Sequence, residues 1–446
     1  MNSRFELNNK QICFALGLFS AAVAMNFHSK SEFMLWFKYT SILLLLVQAF
    51  RLSWYLPALI STCVASLYYT LFFPRLPNHS SLELFIGICI IILFGLKFIR
   101  RKSPLSPEII PWIFRVSLIS VYWFAGFHKL NTGYFDLNSS CAIRVNDLII
   151  DGSVNYLGLA RTSVIKTLII ATFVLEMIIP FGLLFRSSRK ITAWLLLLFH
   201  AYLSIRVFAD FSALAVFLIA GSLLDFSPKT QTDHLEKSFR TYSVFVASAI
   251  LIETLLNQFK YPMTVYTVVH GIIYNFGVLL LFVAIYRTKT TALPLSRNQK
   301  IGLLIIPIAV ALWSIRPYLG LGNTANLTMF SNLVTEKSRS NHFFIDTKFT
   351  KLTTWEENYV ECVALPEQMK NEELEGFLLP KQELSFIIRT YAARYPKNKL
   401  PAILVYQGKR LNIPDLKTSA FAEYERLYKY VFFRRIPKDG PCPCLW

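Results

Sequence analysis

Lys129 closes the run Val121-Tyr-Trp-Phe-Ala-Gly-Phe-His-Lys-Leu-Asn131, so an apolar, aromatic stretch ends in two ionisable groups, His128 and Lys129. An ammonium at the centre of a bilayer costs about 2.5–3.5 kcal/mol even on lenient scales, and such groups are rare unless they face a cavity or a partner. Desolvation favours the neutral amine of a lysine, which can then act as a base, and histidine exchanges protons near neutral pH with little tuning. Tyr122 and Gly126 precede Lys129 by seven and three residues and share its helical face. They are the candidates to contact a bound molecule, Gly126 by admitting a ligand or a neighbouring helix closely. Glu176, four residues before Pro180 in another apolar run, is the second ionisable group in hydrophobic surroundings. It is either functional or an internal partner of Arg115 or Lys129. The plain reading of His128 and of His270 is a side chain that reaches out to the interface.

The elements that must position these residues are membrane helices. Of 446 residues, 54% are hydrophobic and 16% charged, against roughly 25% charged in an average soluble domain. Apolar stretches of spanning length lie at about 11–27, 33–50, 55–73, 81–99, 108–129, 164–186, 190–208, 210–226, 241–257, 268–286 and 300–315. The first could instead serve as a signal peptide, since Arg4 and Lys10 precede an apolar core ending Ala22-Val-Ala24. The predicted fold is an all-α polytopic membrane protein of about eleven transmembrane helices over residues 1–315, followed by a small α+β extramembrane region over 316–446. The net charge of +19 sits largely in short segments between the apolar runs. It therefore reads as a topology and lipid-headgroup signal, with the lipid bilayer as partner and no nucleic acid.

Loop charge alternates. Lys97, Arg100, Arg101 and Lys102 cluster before the fifth stretch, Arg186, Arg189 and Lys190 before the seventh, Lys229, Lys237 and Arg240 after the eighth, and Arg287, Lys289, Arg297 and Lys300 before the last, whereas the intervening short loops carry single cations, Arg75, Arg206 and Lys260. The positive-inside rule then places the N-terminus in the cytoplasm and the region after Arg316 outside, periplasmic or lumenal. This topology gathers Lys129, His128, His79, His200 and His270 toward the outer side, which predicts an outward-facing cavity suited to proton transfer. The seven cysteines show no metal-type spacing, so no metal site is expected. Cys141, Cys362, Cys442 and Cys444 fall outside, an even number able to pair in an oxidising compartment, the last two with partners other than each other. In the tail, 402–406 reads as a strand, 381–394 and 418–434 as helices, and 317–342 as loop, in which Asn341-His-Phe343 either completes the cavity or is solvated.

Three segments together resemble the HTTM family, membrane proteins related to vitamin K-dependent gamma-carboxylase. They are Asn78-His-Ser80, Tyr122-Trp-Phe-Ala-Gly-Phe-His-Lys-Leu-Asn131, and Leu195-Leu-Leu-Leu-Phe-His200 with Phe211 after it. They occur in the family's order over roughly residues 70–226, within an HTTM-like core of about 70–290. The tail elements Met329-Phe-Ser-Asn-Leu333 and Ser340-Asn-His342 resemble bacterial members without assigned function. The resemblance implies Lys129 as the base that deprotonates a hydroquinone, His79 as a supporting proton carrier or hydrogen-bond donor, and His200 in the cavity wall. Reduced vitamin K or another quinone is the implied cofactor, near Tyr122 and Gly126. Two features depart from the carboxylase: His200 is followed by Ala201-Tyr-Leu-Ser204 rather than a Cys-Met-Asn run, and the lumenal substrate region shrinks to a tail of residues 316–446.

Three function classes follow: a carboxylase-like membrane enzyme acting on a lipid-soluble or small-molecule substrate, a non-catalytic membrane scaffold or assembly protein, and a transporter of a small or lipid-like solute in which Glu176, Arg115 and Glu253 matter most. No internal repeat supports the last. The loop charges predict that cysteines introduced at Lys102 and Lys190 stay unlabelled by an impermeant thiol reagent added outside intact cells, while those at Tyr134 and Glu367 react; strong external labelling at 102 overturns the assignment.

Overall fold

The computed structural model describes residues 2–26, 32–73, 75–100, 108–150, 162–203, 209–224, 232–258, 283, 286, 295–336, 339–372, 374–423, 425–438 and 444. The helices are α1 (Asn2–Asn26), α2 (Glu32–Phe50), α3 (Leu56–Phe72), α4 (Asn78–Arg100), α5 (Ile109–His128), α6 (Cys141–Ile150), α7 (Thr162–Met177), α8 (Arg189–Leu203), α9 (Ala209–Ser222), α10 (Thr232–Gln258), α11 (Arg297–Leu303) and α12 (Ile305–Ser314). The first nine expected apolar stretches each fall on one of them and the eleventh on two, α11 and α12; the tenth, 268–286, lies almost wholly outside the described residues, as does His270.

The expected count of eleven spans is matched in part. Among the described residues three helices are long and apolar enough to cross a membrane, Asn78–Leu96, Ile109–His128 and Thr162–Leu184, with shorter apolar helices at Ile12–Ala24, Tyr39–Phe50 and Leu56–Phe72. Two breaks have visible causes. Pro180 removes a backbone donor, and α7 gives way to a 3₁₀ segment, Ile179–Leu184. The last stretch divides at Leu304, three residues before Pro307, into α11 and α12. In α10 the charged residues Glu236, Lys237 and Arg240 occupy the first turns, ahead of the apolar run that starts at 241.

Buried small residues let the helices close on one another. Cys13 to Ala24 of α1 are buried throughout, and a Cβ on Gly17 would lie 2.5 Å from the Phe239 ring of α10. Arg115 of α5 is fully buried and donates from Nε to Ser222 O (2.7 Å) and from Nη2 to Leu224 O (3.0 Å). It thus caps the C-terminal end of α9, where carbonyls lack intrahelical donors and the helix dipole favours a cation. Outward, Leu43, Leu67, Leu71, Ile170, Phe185 and Leu198 stand exposed on the helix surfaces.

After α12 the chain builds a cap. Its five-stranded antiparallel sheet has the order β4-β3-β1-β2-β5, from β1 (Tyr359–Ala364), β2 (Phe377–Pro380), β3 (Ala402–Tyr406), β4 (Lys409–Ile413) and β5 (Ile436–Pro437). Helix α13 (Lys381–Arg394) packs on it, Leu384 and Ile388 meeting Val360, Leu379 and Leu404 in a small buried core. The strand expected at 402–406 and the helix at 381–394 are present. The helix expected at 418–434 is not: only 3₁₀ turns at Leu416–Thr418 and Arg426–Tyr430 form, because Phe432 runs extended and its carbonyl accepts from Asn323 N (3.0 Å) and Thr324 N (3.1 Å).

The cap is fastened to the helices at several points. Arg75, before α4, donates two bonds to Glu383 of α13 (2.6 and 3.1 Å), with its guanidinium over the Phe386 ring. Cys141 is disulfide-bonded to Cys444, closing a loop over 303 residues of separation, and Cys362 is a free thiol buried in the cap sheet. Near the root of the cap the buried carboxylates Glu336 and Glu356 meet Arg434 and Lys351 respectively and share the Asn323 amide. Burial pushes the Glu356 carboxyl up to about 7, with Lys351 opposing and Glu336 reinforcing. A carboxyl raised in the folded state adds stability that is fully present below its ordinary pKa and lost as pH rises through the raised value. The cap is therefore expected to melt at lower temperature at pH 8 than at pH 5.5, and Glu356→Gln should flatten that dependence; an unchanged slope in the variant, followed by differential scanning fluorimetry, would contradict the assignment.

Candidate functional site

Lys129 caps α5, its backbone N–H donating to Gly126 O at 3.0 Å. The side chain is only 2% exposed. Its Nζ lies 2.5 Å from Glu176 Oε2, and its hydrogen bonds go to Met329 O (3.1 Å) and Ala125 O (3.4 Å). Of the two partners open to Glu176, the structure selects Lys129, since Arg115 is committed to the end of α9. Glu176 arrives there because α7 terminates at Met177 and packs on the last turn of α5. That approach requires Gly126: a Cβ there would come within 2.6 Å of Met177 Cβ. Of the two close approaches open to Gly126, the structure shows the neighbouring helix, and Gly126 is not among the residues lining the cavity.

The pair faces a cavity of about 570 Å³. Its polar lining is Lys129, Glu176, Tyr122, His79, Arg75, Asn78 and Thr324, and its walls are mainly apolar, with Val121, Phe199, Leu203, Met329 and Phe330 prominent. His79 sits half-buried in the first turn of α4. His200 is fully buried and stands behind the wall rather than in it: its Nε2 is bonded to the Tyr122 hydroxyl, and its Nδ1 is 3.3 Å from Ser212 Oγ. His128 points the other way, to Tyr318 Oη (2.8 Å) and Asn326 O (3.2 Å), so it anchors the cap instead of reaching out to the interface.

The loop after α12 is the lid of this cavity, contributing Thr324, Ala325, Met329 and Phe330. Ala325, Leu327, Phe330 and Asn332 all have φ between 50° and 61°. Each such non-glycine residue costs on the order of 1–3 kcal/mol and persists only where its surroundings over-determine it. Here asparagines do so. Asn78 Oδ1 accepts from Leu327 N (2.7 Å); Asn131 Nδ2 donates to Ser331 O (2.6 Å) and to His128 O (2.7 Å); Asn332 Oδ1 accepts from Cys141 N (2.6 Å). Asn341 Nδ2 donates to Asn332 O (2.8 Å) and Asn131 Oδ1 (3.1 Å), while its Oδ1 accepts from Val334 N (2.9 Å). The segment Asn341-His-Phe343 docks on the end of α5, Phe343 N donating to Leu130 O (2.9 Å). His342 Nδ1 accepts from Phe344 N (3.2 Å), leaving Nε2–H for Phe127 O (3.1 Å), and burial lowers this histidine below its ordinary range.

Sequence reasoning picked out the ionisable residues and overlooked this asparagine lattice. The available signal was the recurrence of asparagine inside the same short segments that carry the histidines. Among the described residues no cluster of three or more His, Cys, Asp or Glu could hold a metal ion. No family, curated protein or solved structure matches the chain.

Glu176→Gln leaves the Lys129 ammonium without its counter-charge, and breaking a buried pair by removing one partner costs about 3–5 kcal/mol. A clear drop in melting temperature in detergent is expected, partly restored in Lys129→Met/Glu176→Gln; a transition identical to wild type would contradict the pairing.

Proposed function

We propose that the chain is a multi-pass membrane enzyme of the carboxylase-like HTTM group, with its N-terminus cytoplasmic and its cap external, in which Lys129 is the base that takes a proton from a lipid-soluble acid. The observation that carries this reading is the buried Lys129–Glu176 pair at a largely apolar cavity. The Cys141–Cys444 disulfide supports an external, oxidising position for the cap. The ordered resemblance around Asn78, Lys129 and His200 supports the group.

An apolar-walled cavity with a lysine, a carboxylate and a phenol along one side fits a lipid-soluble hydroquinone. Reduced vitamin K or another quinol, when bound, supplies an acidic hydroxyl and the electrons that reduce oxygen. The chain's own residues do the rest. Before acting as a base, the lysine must shed its proton, and Glu176 is in contact to receive it. The amine then accepts the substrate's proton. The ammonium that forms is held by the carbonyl oxygens of Ala125 and Met329, in a water-poor site where such contacts gain strength. Tyr122, fixed by His200, orients the bound molecule from two turns earlier on α5, and His79 is placed to relay protons toward the mouth.

Arginine keeps its proton at all accessible pH. Membranes carrying Lys129→Arg, supplied with reduced quinone and oxygen, should therefore form the oxidised quinone product at least about 100-fold more slowly than wild type, as expected for loss of a general base, with expression and melting unchanged. Equal rates would refute the base. If Tyr122→Phe and His79→Ala are silent as well, a non-catalytic scaffold becomes the better reading.

A further inference from the structure

A second, separate site lies where the membrane helices meet the cap. Helices α11 and α12 carry an exposed apolar stripe across their junction: Leu304, Ile308 and Leu312 recur at four-residue spacing, with Ile301 and Ile305 beside them. The stripe leads into a groove of about 470 Å³ between α12, the ends of α3 and α4, and the cap. Its walls are Phe73 and Phe85 from the helices, Trp313, and Leu321, Trp355 and Tyr430 from the cap side. Trp313 forms the floor, its ring 4.8 Å from Phe73 and 6.1 Å from Phe85.

The groove ends on a cation. Arg316 lies over the Trp313 ring, 4.3 Å from its centroid, and among the described residues donates from Nη2 to Tyr430 O (2.6 Å). A guanidinium has five N–H donors in a rigid fork suited to phosphate, and Arg316 is among the residues that line the groove. Lys429 adds a second cation beside the exposed Tyr430, its Nζ 4.7 Å from that ring. From Arg297 to Arg316 the chain rises about 27–30 Å at helical pitch, the thickness of a hydrocarbon core. Tryptophan and tyrosine with arginine at that depth are the residues that accompany lipid headgroups.

We propose that this groove holds one anionic phospholipid, an acyl chain along the apolar stripe and its phosphate on Arg316, clamping the cap to the helix that packs against α5. This rests on the membrane reading above, and not on the chemistry at Lys129. Glycerophospholipids with a net negative head, such as phosphatidylglycerol, are favoured over zwitterionic phosphatidylcholine because they bring no choline cation of their own against the Arg316 guanidinium.

The test begins with fractionation: the protein is expected in membranes and to need detergent for release, and recovery in the aqueous supernatant would overturn the membrane reading and this inference together. Protein purified in detergent and incubated with equimolar phosphatidylglycerol and phosphatidylcholine is then examined by native mass spectrometry and melting. Wild type should retain one phospholipid, with phosphatidylglycerol in excess, and melt higher with it. Arg316→Ala should lose that preference, Arg316→Lys should keep most of it, and Ala309→Phe, which fills the groove from α12, should retain neither lipid while staying folded. Equal retention of the two lipids by wild type, or undiminished retention by Ala309→Phe in membrane-extracted protein, overturns the lipid site and leaves the membrane reading standing.

Discussion

An ammonium group sealed away from water has to be compensated in place, and that requirement at Lys129 organises the upper half of the molecule. The charge needs an anion, and Glu176 reaches it only because α7 stops before Pro180 and Gly126 lets the end of α7 touch α5. It needs carbonyl oxygens for its remaining protons, and one comes from Met329, two hundred residues on, in a loop that must therefore lie over the cavity. The same contacts that satisfy the lysine bring together the walls, the floor and the lid of the site.

The lid illustrates how backbone strain and polar side chains are coupled. Four non-glycine residues in the left-handed region are a standing cost in one short loop. Asparagine is suited to offset it because an amide offers both donors and an acceptor without charge, so it can satisfy irregular backbone on either side of a junction. Asn78, Asn131, Asn332 and Asn341 each join segments far apart in sequence. The cap behind them is held by the Arg75–Glu383 pair and by the disulfide, which together fix where the lid begins and returns. The cap is thus the support of the lid, and its small sheet gives that support a core of its own.

Much of the fold was legible from the chain alone. Where the helices lie followed from runs of apolar residues, since burial away from water is read one residue at a time; α13 and β3 were equally plain from their local patterns. Where two of the helices break was not, because the interruptions before Pro180 and at Leu304 depend on which neighbours take up the freed backbone groups. Residues 418–434 show the same limit: their local pattern suits a helix, and the pull of Asn323 and Thr324 on the Phe432 carbonyl draws them out straight.

For the site, the sequence determined which groups are unusual. A lysine, a glutamate and histidines in apolar runs stand out by the cost of placing them there, a property of each residue in its own stretch. What only the tertiary structure decided is the pairing: that Glu176 meets Lys129 while Arg115 caps α9, that His200 stands behind Tyr122, that His128 turns to the cap, and that Gly126 touches a helix and not the cavity. Pairing is a matter of distance between elements remote in the chain, and no local pattern of residue types encodes which of several equally charged partners comes within reach.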